Sequence, residues 1–320
     1  MSIFLAVRLT GVLTGGRLPR PWPLALFARF WRIGVAHACL ALLLAGAWPS
    51  SAVSGAPDAA ENAKNHINLA ARQRMLSQQM ARDACFVMAG IDGDRFAGKA
   101  VATVQRFGST LAALRSGDEN LRLLPETDPA VLDALTEVDA LWATLGPAVL
   151  QIAAHDLHSV PMRQLIELNM TVLTRLEAMM VEVRRVHSGS GEDAADFAVT
   201  VSIAGRQRML SQKMSKDLCL LMLDIDPVST RAALEESIVL FETSMRDLMT
   251  GAPERGILPP PKAQVTRQLG KADKVWQDFL VLLRRSLDTP DQSDIDRVRL
   301  ANLSNHLLLE MNSAVMRYLE

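Results

Sequence analysis

Aromatic residues are scarce in this 320-residue chain, at 5% with a single Tyr, while Met occurs 15 times. Strands favour aromatic and β-branched side chains, so the profile argues against sheets and for helical packing. A basic excess is also lacking: the formal net charge is −1, which excludes the positive face that nucleic-acid binding demands. No Ser-His-Asp order, Gly-rich phosphate loop or close pair of carboxylates is present, so neither an enzyme nor a cofactor is expected. Cysteine is limited to three residues, Cys39, Cys85 and Cys219.

Acidic residues are missing altogether from the first 57 positions, which carry Arg8, Arg17, Arg20, Arg29 and Arg32. An apolar run from Ile33 to Ala47 follows, and Ser50-Ser51-Ala52 supplies a small-residue cleavage pattern. That layout predicts a signal peptide over 1–52 and a periplasmic address. The run is about 15 residues, short for a membrane span of roughly 20, and an uncleaved anchor is the competing reading. Without the leader the chain has 29 basic and 35 acidic residues, a net charge of about −6. No second stretch is apolar enough to span a membrane.

The dominant feature is a repeat. Ala70-Ala-Arg-Gln-Arg-Met-Leu-Ser-Gln-Gln-Met80 recurs as Ala204-Gly-Arg-Gln-Arg-Met-Leu-Ser-Gln-Lys-Met214, offset by 134 positions. Phe107 and Phe241, Gly117 and Gly251, Pro125 and Pro259, and Trp142 and Trp276 keep that offset. Asn169, Glu177 and Arg184 align with Asn302, Glu310 and Arg317 after a one-residue slip. A repeat of this length means two copies of one structural unit. Each copy reads as four amphipathic helices joined by short, Gly- and Pro-marked connections. Predicted helices in the first copy run over about 62–91, 94–115, 129–158 and 160–187, with Asp94 and Asp128 as caps. Those of the second run over about 192–225, 227–249, 261–287 and 292–319. The expected fold is all-α: two tandem up-down-up-down four-helix bundles, over 62–187 and 193–320, with linkers at 53–61 and 188–192.

At 100° per residue the motif helix has two faces. Leu69, Leu76, Met80 and Val87 form one, the buried seam of its own bundle. Ile67, Ala70, Ala71, Arg74, Gln78, Ala81 and Cys85 form the other. Val201, Ala204, Arg208, Gln212, Ser215 and Cys219 repeat it. Small residues permit close approach of a second helix. If the two motif helices face each other about a pseudo-twofold axis, Arg74 and Arg208 meet, and two like charges there call for an anion. Forked guanidinium donors suit a small planar oxyanion. The competing reading makes each Arg a solvated or ion-paired helix residue. Arg72 and Arg206 point about 160° away and read as rim or ion-pair residues. Cys85 and Cys219 share the seam face, where a disulfide and two buried thiols are both open.

The sequence at 204–214 resembles the signature of the N-terminal sensor domain of type IV pilus methyl-accepting chemotaxis transducers. It is also similar to the sensor domain of nitrate/nitrite sensor kinases, in which motif helices pair across a dimer axis and one Arg from each holds a nitrate. The resemblance implies a covalent pseudo-dimer with one ligand site at Arg74 and Arg208, and Gln78, Gln212, Ser77 and Ser211 nearby. The ligand it implies is a small anion, nitrate or nitrite first. A membrane-bound signalling partner would receive the signal. Departures are Arg72-Gln73 and Arg206-Gln207 where the kinases carry Ser-Leu, and Ala71 opposite Gly205. A ligand-free adaptor of a chemosensory or pilus system is the alternative function, and homodimerisation through the same seam a third possibility. His155 and His158 have a metal-compatible spacing but no third ligand and read as a solvated helix end. Met162, Met170, Met179 and Met180 read as core filler, and Trp142 and Trp276 as core anchors.

Overall fold

A computed structural model describes residues 56–189, 192–288 and 294–320. The expected leader over 1–52 lies outside the described residues. Eight α-helices follow in order: α1 Ala59–Met88, α2 Gly93–Ser116, α3 Pro129–Ala153, α4 Ser159–His187, α5 Glu192–Met222, α6 Pro227–Thr250, α7 Ala263–Asp288 and α8 Asp294–Leu319. No strand occurs among the described residues; two isolated bridges, Asp118 with Leu123 and Ala252 with Ile257, stand at equivalent places in the two copies.

Local chemistry explains most of the boundaries. Asp58 caps α1 by accepting from the Glu61 amide, so the helix begins inside the stretch expected to be linker. Asp128 caps α3 as expected, accepting from the Ala130 and Val131 amides with Pro129 in the first turn. Asp94 is not the cap of α2. That position belongs to Asp92, whose φ of 45° is repeated by Asp226 at 41° before α6. Helix α3 continues through Gly146-Pro147 to Ala153. Gly146 leaves room for the Trp142 ring, whose carbons would lie 2.9 Å from an added Cβ. Gly117 and Gly251 end α2 and α6 at φ 78° and 81°. A Cβ at Gly117 would stand 2.9 Å from Pro125 and at Gly251 3.1 Å from Pro259, which explains why these Gly–Pro pairs recur.

Within each copy the helices pack in cyclic order, α1 on α2, α2 on α3, α3 on α4 and α4 on α1, with α5 to α8 repeating the pattern. This is the expected pair of up-down-up-down bundles. The bundles join through α1 and α5, whose apolar residues belong to one continuous core. Trp276 is fully buried against Phe241, whereas Trp142 on Phe107 is half-buried. Met179 and Met180 are core residues; Met170 is exposed and Met162 half-exposed, so the filler reading holds for only the first pair.

Candidate functional site

Helices α1 and α5 run parallel, because equivalent residues meet at two levels. A Cβ built on Gly205 would lie 3.1 Å from the Ala71 Cβ. Fourteen residues on, Cys85 and Cys219 form a disulfide with their Cα atoms 6.1 Å apart. The small-residue face is therefore the junction between the copies, and the disulfide is the outcome of the two open cysteine readings.

Arg74 and Arg208 occupy this junction and are fully buried. The same point beside Gly205 lies 3.3 Å from Nη2 of Arg208 and 3.8 Å from Nη2 of Arg74. The two guanidinium groups converge where glycine opens the seam. Their partners differ. Arg74 Nη1 donates to Glu177 at 2.8 Å and Nη2 to the Ser202 carbonyl at 3.3 Å. Arg208 donates to Asn312 at 3.1 Å and to Asn68 at 3.2 Å, both uncharged. Nε of each Arg is buried with no hydrogen-bond partner. Burial, with Arg74 and Arg72 nearby, pushes Arg208 down to about 9. Burial also lowers Arg74, with Glu177 opposing and Arg206 and Arg184 adding to the fall.

The partners correct the alignment of the last helices. Buried α4 residues Leu165, Val172, Leu176 and Val183 correspond to Leu300, Leu307, Met311 and Tyr318 of α8, an offset of 135. Hence Glu177 has Asn312 as its structural counterpart, not Glu310, which instead accepts from Gln268. Identical polar residues suggested the wrong slip; the buried stripe sets the register. One copy pairs its Arg with an acid and the other with an uncharged amide at the same place.

Arg72 and Arg206 are half-buried and form no ion pair among the described residues. Each adds its positive charge to the motif Arg of the opposite copy. They belong to the electrostatics of the junction, although their helical angle places them on another face. Ser77 and Ser211 donate to the carbonyls of Arg74 and Arg208, and accept from the amides of Gln78 and Gln212. Gln212 also accepts from Arg82 and donates to the Ser304 carbonyl, so its polar atoms are occupied; Gln78 Oε1 is buried and unpartnered. Gln73 and Gln207 hold α2 and α6 by donating to the Phe107 and Phe241 carbonyls.

Below the arginine pair lies a second buried charge layer that sequence reasoning missed. Arg82 pairs with Asp83 and reaches across to Ser304 and Asn305 of the other bundle. Its counterpart Lys216 pairs with Asp217 at 3.1 Å and donates to Asn169 of the first bundle at 2.8 Å. A basic-then-acidic pair at the same repeat position was the available signal. His155 and His158 are exposed, each near a different Asp.

Residues 58–167 and 194–299 both match the family described as the type IV pili methyl-accepting chemotaxis transducer N-terminal domain. The chain belongs to this family. It carries the transducer sensor domain twice, and such domains are helical sensory modules of chemotaxis signal transduction. Over 117 residues the chain is 32% identical to methyl-accepting chemotaxis protein McpN of Pseudomonas aeruginosa, a match covering 36% of this chain and 21% of that protein. The chain thus spans about a fifth of that relative. No helix among the described residues of this transducer-domain pair is long and apolar enough to cross a membrane.

Proposed function

We propose that the tandem pair is an exported sensory module that binds one small planar oxyanion, nitrate or nitrite first, between Arg74 and Arg208. The observation that carries this reading is the convergence of two buried guanidinium groups at Gly205 with a single carboxylate, Glu177, to balance them. A buried charge without a partner is costly, and an anion accepting from both forks would relieve it. Ser77, Ser211, Gln78 and Gln212 lie one turn below, bonded to one another and to neighbouring backbone, and would support the two arginines rather than contact the anion. The disulfide accords with an oxidising compartment such as the periplasm. The signal would pass by contact to a membrane-bound partner.

A ligand-free adaptor is the second reading, which the family match accommodates equally well. Calorimetry with nitrate on the wild-type protein and on Arg208→Ala separates the two. Heat lost in the variant supports oxyanion sensing. Absence of heat in both, with partner capture intact, supports the adaptor. Light scattering checks for a homodimer with and without nitrate.

A further inference from the structure

Three side chains far apart in sequence meet at one end of the first bundle: His66 on α1, Glu126 in the α2–α3 connection and His187 at the end of α4. One ligand atom from each lies within 4.8 Å of the others. His187 Nε2 is 2.8 Å and His66 Nε2 4.0 Å from Glu126 Oε2. His66 and Glu126 are buried.

His66 and Glu126 are oriented from behind. His66 Nδ1 is 3.0 Å from the Asn62 carbonyl, which can only accept, so Nδ1 carries the proton and Nε2 a lone pair. Glu126 Oε1 accepts from the Thr127 and Asp128 amides, leaving Oε2 for the cluster. Among the described residues His66 Nε2, which is buried, has no hydrogen-bond partner, and it faces that carboxylate, lone pair towards lone pair. An imidazole whose far nitrogen is held by a carbonyl, as that of His66 is, beside a backbone-anchored carboxylate, is a common surrounding of a metal.

We propose that His66, Glu126 and His187 bind a divalent transition-metal ion of the zinc class. Two imidazoles and one carboxylate suit zinc and disfavour calcium or magnesium, which take oxygen ligands. Ligand atoms of a tetrahedral zinc stand roughly 3.3 Å apart, so the present spacings need only small shifts. The rings stack at 4.3 Å with planes 11° apart, and one must tilt to aim at a shared ion. His187 is the one to turn: it is half-buried, ends α4 and precedes Gly189 at φ 79°. With the ring proton on Nδ1, its Nε2 lone pair is available to the ion. His187 also lines a cavity of ≈ 260 Å³, from which water can supply the fourth ligand. Thr200 and Pro260 occupy the places of His66 and Glu126 in the second copy, so the site is single. Bound metal would tie α1, α4 and the α2–α3 connection beside the junction between copies.

The test is titration of the whole protein with Co²⁺, read by the visible band of four-coordinate cobalt, then competition with Zn²⁺. One equivalent should bind, and His66→Ala, Glu126→Ala and His187→Ala should each weaken it by at least about 100-fold. Metal-free circular dichroism and melting verify the folding of each variant, and His187→Ala at the helix end suffices if His66→Ala does not fold. No stoichiometric cobalt band overturns the proposal. So does an affinity unchanged in His187→Ala, or one lost only when His155 and His158 are both replaced by Ala.

Discussion

Replacing Arg208 with Met tests whether the junction holds an uncompensated charge. Lowering the Arg208 guanidinium from its ordinary value to about 9 corresponds to about 5 kcal/mol of disfavoured charge at about 1.36 kcal/mol per pKa unit. At pH 7 the group is still protonated, so the ligand-free protein bears that cost in full. Met keeps the aliphatic bulk but loses two charge-assisted hydrogen bonds, to Asn312 and Asn68, worth about 1.5–3 kcal/mol each. Arg208→Met should therefore be close to neutral or stabilise the ligand-free protein by up to about 2 kcal/mol, as seen when buried charges give way to apolar groups. Arg74→Met should gain less, because Glu177 already pairs with Arg74 and would be left behind. Urea unfolding at pH 7 with the disulfide intact measures both. The same gap predicts that wild-type stability rises with pH above about 9, where folded Arg208 releases a proton that the unfolded chain keeps. Nitrate at 100 times its Kd should add about 2.7 kcal/mol to wild type and nothing to Arg208→Met. A variant destabilised by more than about 2 kcal/mol would refute the charge argument, and one that retains the nitrate increment would refute the site.

The disulfide closes a loop of 134 residues, so Cys85→Ala with Cys219→Ala should lower stability by about 2–5 kcal/mol in urea melts, without dissociating the covalently linked bundles. Arg82→Met leaves Asp83 buried and unpaired and should cost about 3–5 kcal/mol; replacing both by apolar residues should recover most of it. Asn312→Asp restores a carboxylate beside Arg208, so nitrate affinity should fall at least about tenfold by calorimetry while ligand-free stability rises. An unchanged affinity would show that the counter-charge balance does not set binding.

Helix order, the bundle pair and the face on which Arg74 and Arg208 meet were legible because they rest on local periodicity repeated at a fixed offset. Motif residues carry two kinds of signal that sequence cannot separate. Gln73 and Gln207 hold neighbouring helices, and Ser77 and Ser211 tie back to their own helix, so their retention is accounted for by packing. The Glu177–Asn312 relation was hidden because identity favoured Glu310, whereas burial of Met311 and Tyr318 decides which face of α8 turns inward. The His66–Glu126–His187 cluster joins residues about 60 positions apart on three segments. No helical period links them, and the more conspicuous His155–His158 spacing lies at an exposed helix end.

Duplication within one chain changes what the junction is free to become. Where a sensor dimerises from identical chains, every substitution appears on both sides of the axis, and losing one acid means losing both. Here Asn312 replaces the equivalent of Glu177 on one side only, and Lys216 answers Arg82 with a different donor geometry. Ala71 likewise meets Gly205 rather than a second alanine, bringing the helices together where the two guanidinium groups converge. Two arginines and one glutamate leave a net positive charge at the seam, to which Arg72, Arg206 and Arg184 add. Under the proposed function an anion would offset that excess, and a monovalent one is the cheaper to desolvate. A symmetric pair of Arg–Glu bridges would instead leave both motif arginines already neutralised.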